Sequence, residues 1–353
     1  MRVQQPAGWH GDKRRVTWLR FLSLGFGLSL ERDSRSLEDT ITMPSMRYFF
    51  NRFKAGLCTA ILALNCSLSV AASDCQGEGT RLQVLGSGGP ELDDGRASSS
   101  YLVWRRGRAV LLVDAGSGSS VAFDRSGALL EDLSAILLTH LHTDHAVDLP
   151  AYVKGGYFSE RDKALLVLGP SGNQLMPSTR QYVEALLGEQ GAFRYLSDHT
   201  RPMEQGFWID VRDVDIDERE LWRMDTGNDI QLSALGVDHG PVAAVAWRVE
   251  VGSCTLVFGG DTTNARGNLE RLARGADILI AHVGIADDTT GPATRLFATP
   301  RVIGEIAQRA GVGTLVLSHF MNRSQRDTEA LVASVRNEFK GRVIAARDMS
   351  FVE

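Results

Sequence analysis

A chain of 353 residues, 43% hydrophobic and 23% charged, can bury a full core in one large domain or two small ones, which excludes an intrinsically disordered protein. A formal net charge of −5 and a pI near 5.9 give no general attraction to polyanions. Stable nucleic-acid binding is therefore not expected.

Taken in order, the chain first shows a basic segment over residues 46–54, an apolar run over 55–70, and the small residues Val70-Ala71-Ala72. That succession is a secretory signal peptide spanning 46–72, with cleavage expected after Ala72. Its apolar part is shorter than the ~20 residues that span a bilayer, so no membrane anchor is expected after cleavage. Because such a signal works at a true N-terminus, residues 1–45 are expected to be a non-native extension, with translation starting at Met46 or Met43. The functional domain then covers 73–353, in the periplasm or outside the cell. Cys58 and Cys66 leave with the signal, and Cys75 and Cys254 remain. An oxidising compartment could join these two, and two buried free thiols fit the sequence equally well.

Residues 80–85 alternate in the manner of a strand and run into Gly86-Ser87-Gly88-Gly89-Pro90. With no lysine and no amphipathic helix after it, this loop reads as a tight turn beside a site rather than a phosphate cradle. Strands are expected over 98–103 and 109–113. From there one pattern recurs: short apolar runs end in a polar, metal-capable side chain, at Asp114, His140, His239, Asp261, His282 and His319. Buried strands read as continuous apolar runs, so these are central strands whose ends converge on one edge. Helices are expected over 177–189, 266–274, 300–310 and 325–339, and a last strand over 342–348. Alternation of the two element types gives the α/β class, with sheets inside and helices outside. Residues 190–230 are the least regular and read as an excursion over the site, and His199 within them as a surface residue.

The densest chemistry lies in Ala135-Ile-Leu-Leu-Thr-His140-Leu-His142-Thr-Asp144-His145. His140 and His142 lie two apart, so on extended backbone they face one side and can share an ion. Asp144 and His145 follow where the chain turns into a helix, and they point elsewhere. Four such side chains exceed what one ion needs. The surplus suggests two adjacent divalent ions, a geometry that clamps the attacking and leaving oxygens of a hydrolytic displacement.

These motifs resemble the metallo-β-lactamase-fold hydrolases, from about Leu82 to the C-terminus: His140-x-His142-x-Asp144-His145, then His239, Gly-Gly-Asp261-Thr and Leu-Ser-His319-Phe. The resemblance implies a four-layered αββα sandwich with a dinuclear zinc site, or one of similar divalent ions, along one edge of its sheets. It also implies His140, His142 and His239 on one ion, Asp144, His145 and His319 on the other, and Asp261 bridging both. A hydroxide between the ions would attack, with Asp144 orienting it or taking its proton. Leu-Gly-Ser-Gly-Gly-Pro, Gly-Gly-Asp-Thr and Leu-Ser-His-Phe are similar to the ribonuclease Z branch and its arylsulfatase and phosphodiesterase relatives. That branch carries His-Glu-Ala-Thr where this chain has Ala281-His282-Val283-Gly284, and His-Ser-Thr where it has Phe297-Ala298-Thr299. His282 is thereby displaced by one from the family's proton-donating histidine, and either a general acid or a supporting hydrogen-bond partner fits. The expected protein is an exported di-zinc hydrolase, free or homodimeric, acting on a small anionic ester, a phosphodiester or an aryl sulfate. A ribonuclease Z-type endonuclease, a lactone or ester hydrolase and a metal-stabilised binding domain are the alternatives.

Overall fold

The computed structural model describes residue 75 and residues 79–204, 206–216 and 219–352. The expected extension and signal peptide lie outside the described residues.

Fourteen described strands form two sheets of seven. In chain order they are β1 (Thr80–Gly86), β2 (Ser100–Arg105), β3 (Arg108–Val113), β4 (Ala135–Leu137), β5 (Leu165–Pro170), β6 (Ile209–Val214), β7 (Trp222–Gly227), β8 (Ile230–Gly236), β9 (Val245–Val251), β10 (Cys254–Phe258), β11 (Ile278–His282), β12 (Thr314–Ser318), β13 (Arg342–Ala345) and β14 (Phe351–Val352). The helices are α1 (Ser119–Ser126), α2 (Thr143–Ala146), α3 (Leu149–Gly156), α4 (Thr179–Leu187), α5 (Asn268–Leu272), α6 (Pro300–Ala310), α7 (Asn322–Gln325) and α8 (Thr328–Glu338). The first sheet runs β14-β1-β2-β3-β4-β5-β6, and the second β13-β12-β11-β10-β9-β8-β7.

Alternation along single strands sorts the side chains into layers. Tyr101, Val103, Leu111 and Val113 join the large core that contains the second sheet, whereas Leu102, Leu112 and Ile136 join a core with Phe123 of α1, Tyr152 of α3 and Val183 of α4. The second sheet is covered in turn by Leu269 of α5, Ile303 and Ile306 of α6 and Leu331 and Val335 of α8. The expected αββα sandwich is therefore the fold. Both faces of the inner strands are covered, which is why their interiors are apolar.

Direction places the strand ends. β3 and β4 are parallel, as are β10, β11 and β12, and β8 shares their direction through two antiparallel steps by way of β9. All of these runs end at one edge. There the sheets are tied directly: Val245 N donates to Thr139 O (2.9 Å) and Trp247 Nε1 to Leu138 O (3.0 Å).

Three expectations need correction. Residues 190–230 are no excursion over the site, because they hold the short helical turn Arg194–Thr200 and then β6 and β7, the outer strands of the two sheets. An edge strand has less cover, and β7 alternates half-buried and exposed residues in a way that blurs any apolar run. The helix expected over 325–339 is α8, which begins only at Thr328 because Asp327 accepts from Ala330 N (2.8 Å) and caps it. The strand expected over 342–348 stops at Ala345, and β14 follows it as the last. The two cysteines are joined, Cys75 to Cys254, across 179 residues of sequence.

Candidate metal centre

Six of the chain's eight histidines meet at the shared edge with Asp144 and Asp261. His140 Nε2 lies 3.0 Å from His142 Nδ1, His239 Nε2 3.5 Å from the same atom, and Asp261 Oδ2 3.8 Å from His140 Nε2 and 3.6 Å from His239 Nε2. These four donors form the first pocket. In the second, His319 Nε2 lies 3.2 Å from Asp144 Oδ2 and 3.4 Å from Asp261 Oδ1, and His145 Nε2 lies 3.5 Å from Asp144 Oδ2 and 3.8 Å from Asp261 Oδ2. Asp261 belongs to both.

Local structure explains each position. Thr139 and His140 follow β4, His142 stands in extended backbone just before α2, and Asp144 and His145 sit on α2, so the two pairs diverge. His239 follows β8, Asp261 follows β10 through Gly259-Gly260, and His319 follows β12. Gly260 takes φ +58°, and a Cβ there would stand 2.9 Å from Thr139 Cβ, so only glycine brings Asp261 this close to the first sheet. Asp114 and His319 also take positive φ, 57° and 58°. Backbone held in that region by surrounding structure is common at functional sites. The loop after β1 lies beside the site as expected: a Cβ on Gly89 would come 2.9 Å from His319 Cε1.

Behind the donors stands a second row of partners. His145 Nδ1 donates to Asp114 Oδ2 (2.8 Å), since a carboxylate only accepts, and Asp114 is held by Thr139 N (2.7 Å) and Thr139 Oγ1 (2.9 Å). His239 Nδ1 donates to Leu296 O (3.0 Å). His282 stands behind Asp261. Its Nδ1 donates to Asp261 Oδ1 (2.7 Å), and its Nε2 lies 3.0 Å from Tyr101 Oη, which is 2.8 Å from Ser318 Oγ. Tyr101, His282 and Ser318 are all buried, so neither ring nitrogen of His282 faces open space. His199, away from the site, is half-buried and its Nδ1 donates to Phe207 O (3.0 Å).

The donor set fits divalent ions. His145 Nε2 is buried with no hydrogen-bond partner, although its other nitrogen is bound, and it points between two carboxylates. Such an orphan is costly unless a ligand satisfies it. Burial lowers the pKa of His140, His142 and His239, and the charges of neighbouring histidines add to this, so the first pocket holds neutral imidazoles. Burial also opposes charge on His145 and His319, but there the carboxylates win: Asp114, Asp144 and Asp261 hold His145 well above the ordinary value, and Asp261 and Asp144 raise His319. Asp144 and Asp261 are driven the other way, below the usual carboxylate range, because the adjacent histidines outweigh burial. Burial brings His282 down to about 4 despite its bond to Asp261. All eight residues named from sequence are thus together. Asp114 was marked only as a run end, whereas Tyr101, inside a buried strand, gave no signal.

Residues 93–301 match the model of the metallo-beta-lactamase superfamily. The chain is 33% identical over 287 residues to a ribonuclease Z of Mycolicibacterium paratuberculosis, covering 76% of this chain and 96% of that protein. A ribonuclease Z of Mycobacterium marinum is 32% identical over 288 residues, covering 77% and 98%. Among solved structures, the metallo-beta-lactamase fold protein YhfI from Bacillus subtilis superposes with a TM-score of 0.60 at 21% identity, over 77% of this chain and 98% of that one. The short form of human tRNase Z gives 0.58 at 18% identity, over 77% and 98%.

Proposed function

This chain belongs to the metallo-beta-lactamase superfamily, and on that footing we propose that it is an exported, dinuclear metal-dependent hydrolase of small anionic esters, phosphodiesters first and aryl sulfates next. The observation that carries the reading is Asp261, shared between two donor sets, with the orphaned Nε2 of His145 turned toward it. Two zinc or similar ions bound there would supply Lewis acidity, lower the pKa of water from 15.7 to about 7, and neutralise charge building on the ester oxygens.

The chain's own residues do the rest. His140, His142 and His239 would hold one ion, Asp144, His145 and His319 the other, and Asp261 would serve both. Asp144, kept ionised by its histidine neighbours, orients the attacking water. His282 is a positioning residue: its bond to Asp261 Oδ1 leaves Oδ2 facing both pockets. Export is supported by the disulfide, which persists in oxidising compartments, together with the signal-like residues 46–72. In the test, the purified 73–353 domain should carry two equivalents of metal and lose activity to chelators. It is assayed on bis-p-nitrophenyl phosphate, p-nitrophenyl sulfate, a homoserine lactone and a precursor tRNA. One tightly held ion with no second at saturation would refute the dinuclear reading. A second reading, a ribonuclease Z-type endonuclease, is favoured by the naming of the relatives at 33% and 32% identity, and cleavage of the precursor tRNA alone would establish it.

A further inference from the structure

One flank of the paired pockets is apolar. Phe297 has its ring centroid 5.7 Å from that of His239 and 5.5 Å from that of His319, so a single phenyl touches one donor of each pocket. With Ile285 and Met321 it forms a small cluster of its own, separate from the two large cores, and Leu296 packs against it. The segment is fixed on both sides of the ring. Leu296 O accepts from His239 Nδ1 (3.0 Å), and Ala298 N donates to Thr262 O (2.8 Å), next to Asp261. Gly284 makes room, since a Cβ there would come 2.7 Å from the Phe297 ring. The Arg323 guanidinium lies 5.6 Å from the ring centroid and donates to Gly284 O (2.6 Å). Phe297 keeps 6% of its surface exposed and Met321 9%, so what they offer is the edge of a wall and not a deep pocket.

We infer that this flank is the leaving-group subsite, and that the substrates are esters of aromatic hydroxyls or others of similar acidity. The inference rests on the hydrolase reading above and narrows it. A phenyl edge beside the reacting centre takes an aromatic group in offset or edge-to-face contact. The flank also cannot supply a proton. Phe297, Ile285 and Leu296 have none to transfer, the Met321 thioether is only a weak acceptor, and the Arg323 guanidinium is engaged with Gly284 O and Met321 Sδ. Both nitrogens of His282 are held by Asp261 and Tyr101. An alkoxide leaving without a proton forfeits the roughly 10²- to 10⁴-fold that a general acid contributes, whereas an aryloxide leaves unaided. In the step, the water oxygen bonds to phosphorus or sulfur and one water proton passes to solvent. The bond to the aryl oxygen breaks, and the aryloxide departs with the electron pair. Nothing is oxidised or reduced.

The experiment uses the metal-loaded protein and two probes, phenylphosphonate and methylphosphonate, whose dissociation constants are measured by calorimetry alongside metal content. Wild type should favour the phenyl compound about 5-fold, within the range of an aromatic pair. Phe297→Leu, which keeps an apolar side chain against both histidines, should retain two metals, bind methylphosphonate unchanged and lose the preference. Equal affinity for both probes in wild type, or a preference untouched by Phe297→Leu, overturns the inference. So does a preference lost only together with the metals, because Phe297 would then be packing. Rates on a series of substituted phenyl phosphodiesters should fall steeply as the phenol becomes less acidic, and a flat series overturns it too. Wild type that holds two metals yet binds neither probe and cleaves no ester defeats the hydrolase reading itself, a result distinct from all of these.

Discussion

At the scale of single residues, the site depends on groups that never touch a substrate. Asp114 fixes the tautomer of His145 from behind and sits in left-handed backbone, which asparagine tolerates. Asp114→Asn should therefore fold and weaken the second pocket by about 10- to 100-fold, the usual cost of losing such a partner. Competition with a chromogenic chelator reads this directly. The two pockets should also differ in their response to pH. His145 and His319 have raised pKa values in the metal-free protein, so both must shed protons to become ligands, while His140, His142 and His239 are already neutral. Affinity of the second pocket should fall as pH falls through the raised values, with proton release on binding. The first should change little near neutrality. Titrations in buffers of different ionisation enthalpy count the protons, and equal release from both pockets would contradict the assignment. Sequence displayed the donors because polar residues closing apolar runs stand out. It could not display the Tyr101–His282 contact, because a tyrosine inside a buried strand looks like any other core aromatic.

At the scale of elements, the parallel strands were legible and the margins were not. Runs such as β4, β11 and β12 are covered on both faces and so are apolar through their interiors, with polar residues only at the ends of β11 and β12. β7 at the edge alternates half-buried and exposed residues, and β14 is two residues long, so neither leaves a signal above its surroundings. The helix over 300–310 was legible to the residue, since Thr299 caps it, Pro300 opens it and Gly311 ends it. The start of α8 was not, because Asp327 reads as an ordinary polar position in an amphipathic stretch. One turn matters more to the site than any helix. Gly260→Ala forces a left-handed alanine and a contact with Thr139, and should cost ~1–3 kcal/mol by strain alone. A depressed midpoint in thermal denaturation, together with loss of both metals through the displaced Asp261, is the expected pair of results.

At the scale of the whole molecule, the Cys75–Cys254 bond ties the start of the described chain to the strand that ends before Asp261. It closes a long loop, so replacing both cysteines with serine should cost about 2–5 kcal/mol in urea unfolding. An unchanged midpoint would show that the bond adds nothing to the fold. Last, the donors themselves come from both sheets: His140, His142, Asp144 and His145 follow a strand of the first, and His239, Asp261 and His319 follow strands of the second. No half of the sandwich can complete either pocket, so an ion finds its full set only once the two sheets have docked. Binding that arises after the rate-limiting step leaves the folding rate alone and slows the reverse one. Stopped-flow refolding should therefore be the same with and without zinc, while unfolding in denaturant slows markedly when zinc is present. The ions would thus govern how long a folded molecule lasts, and not how quickly it forms.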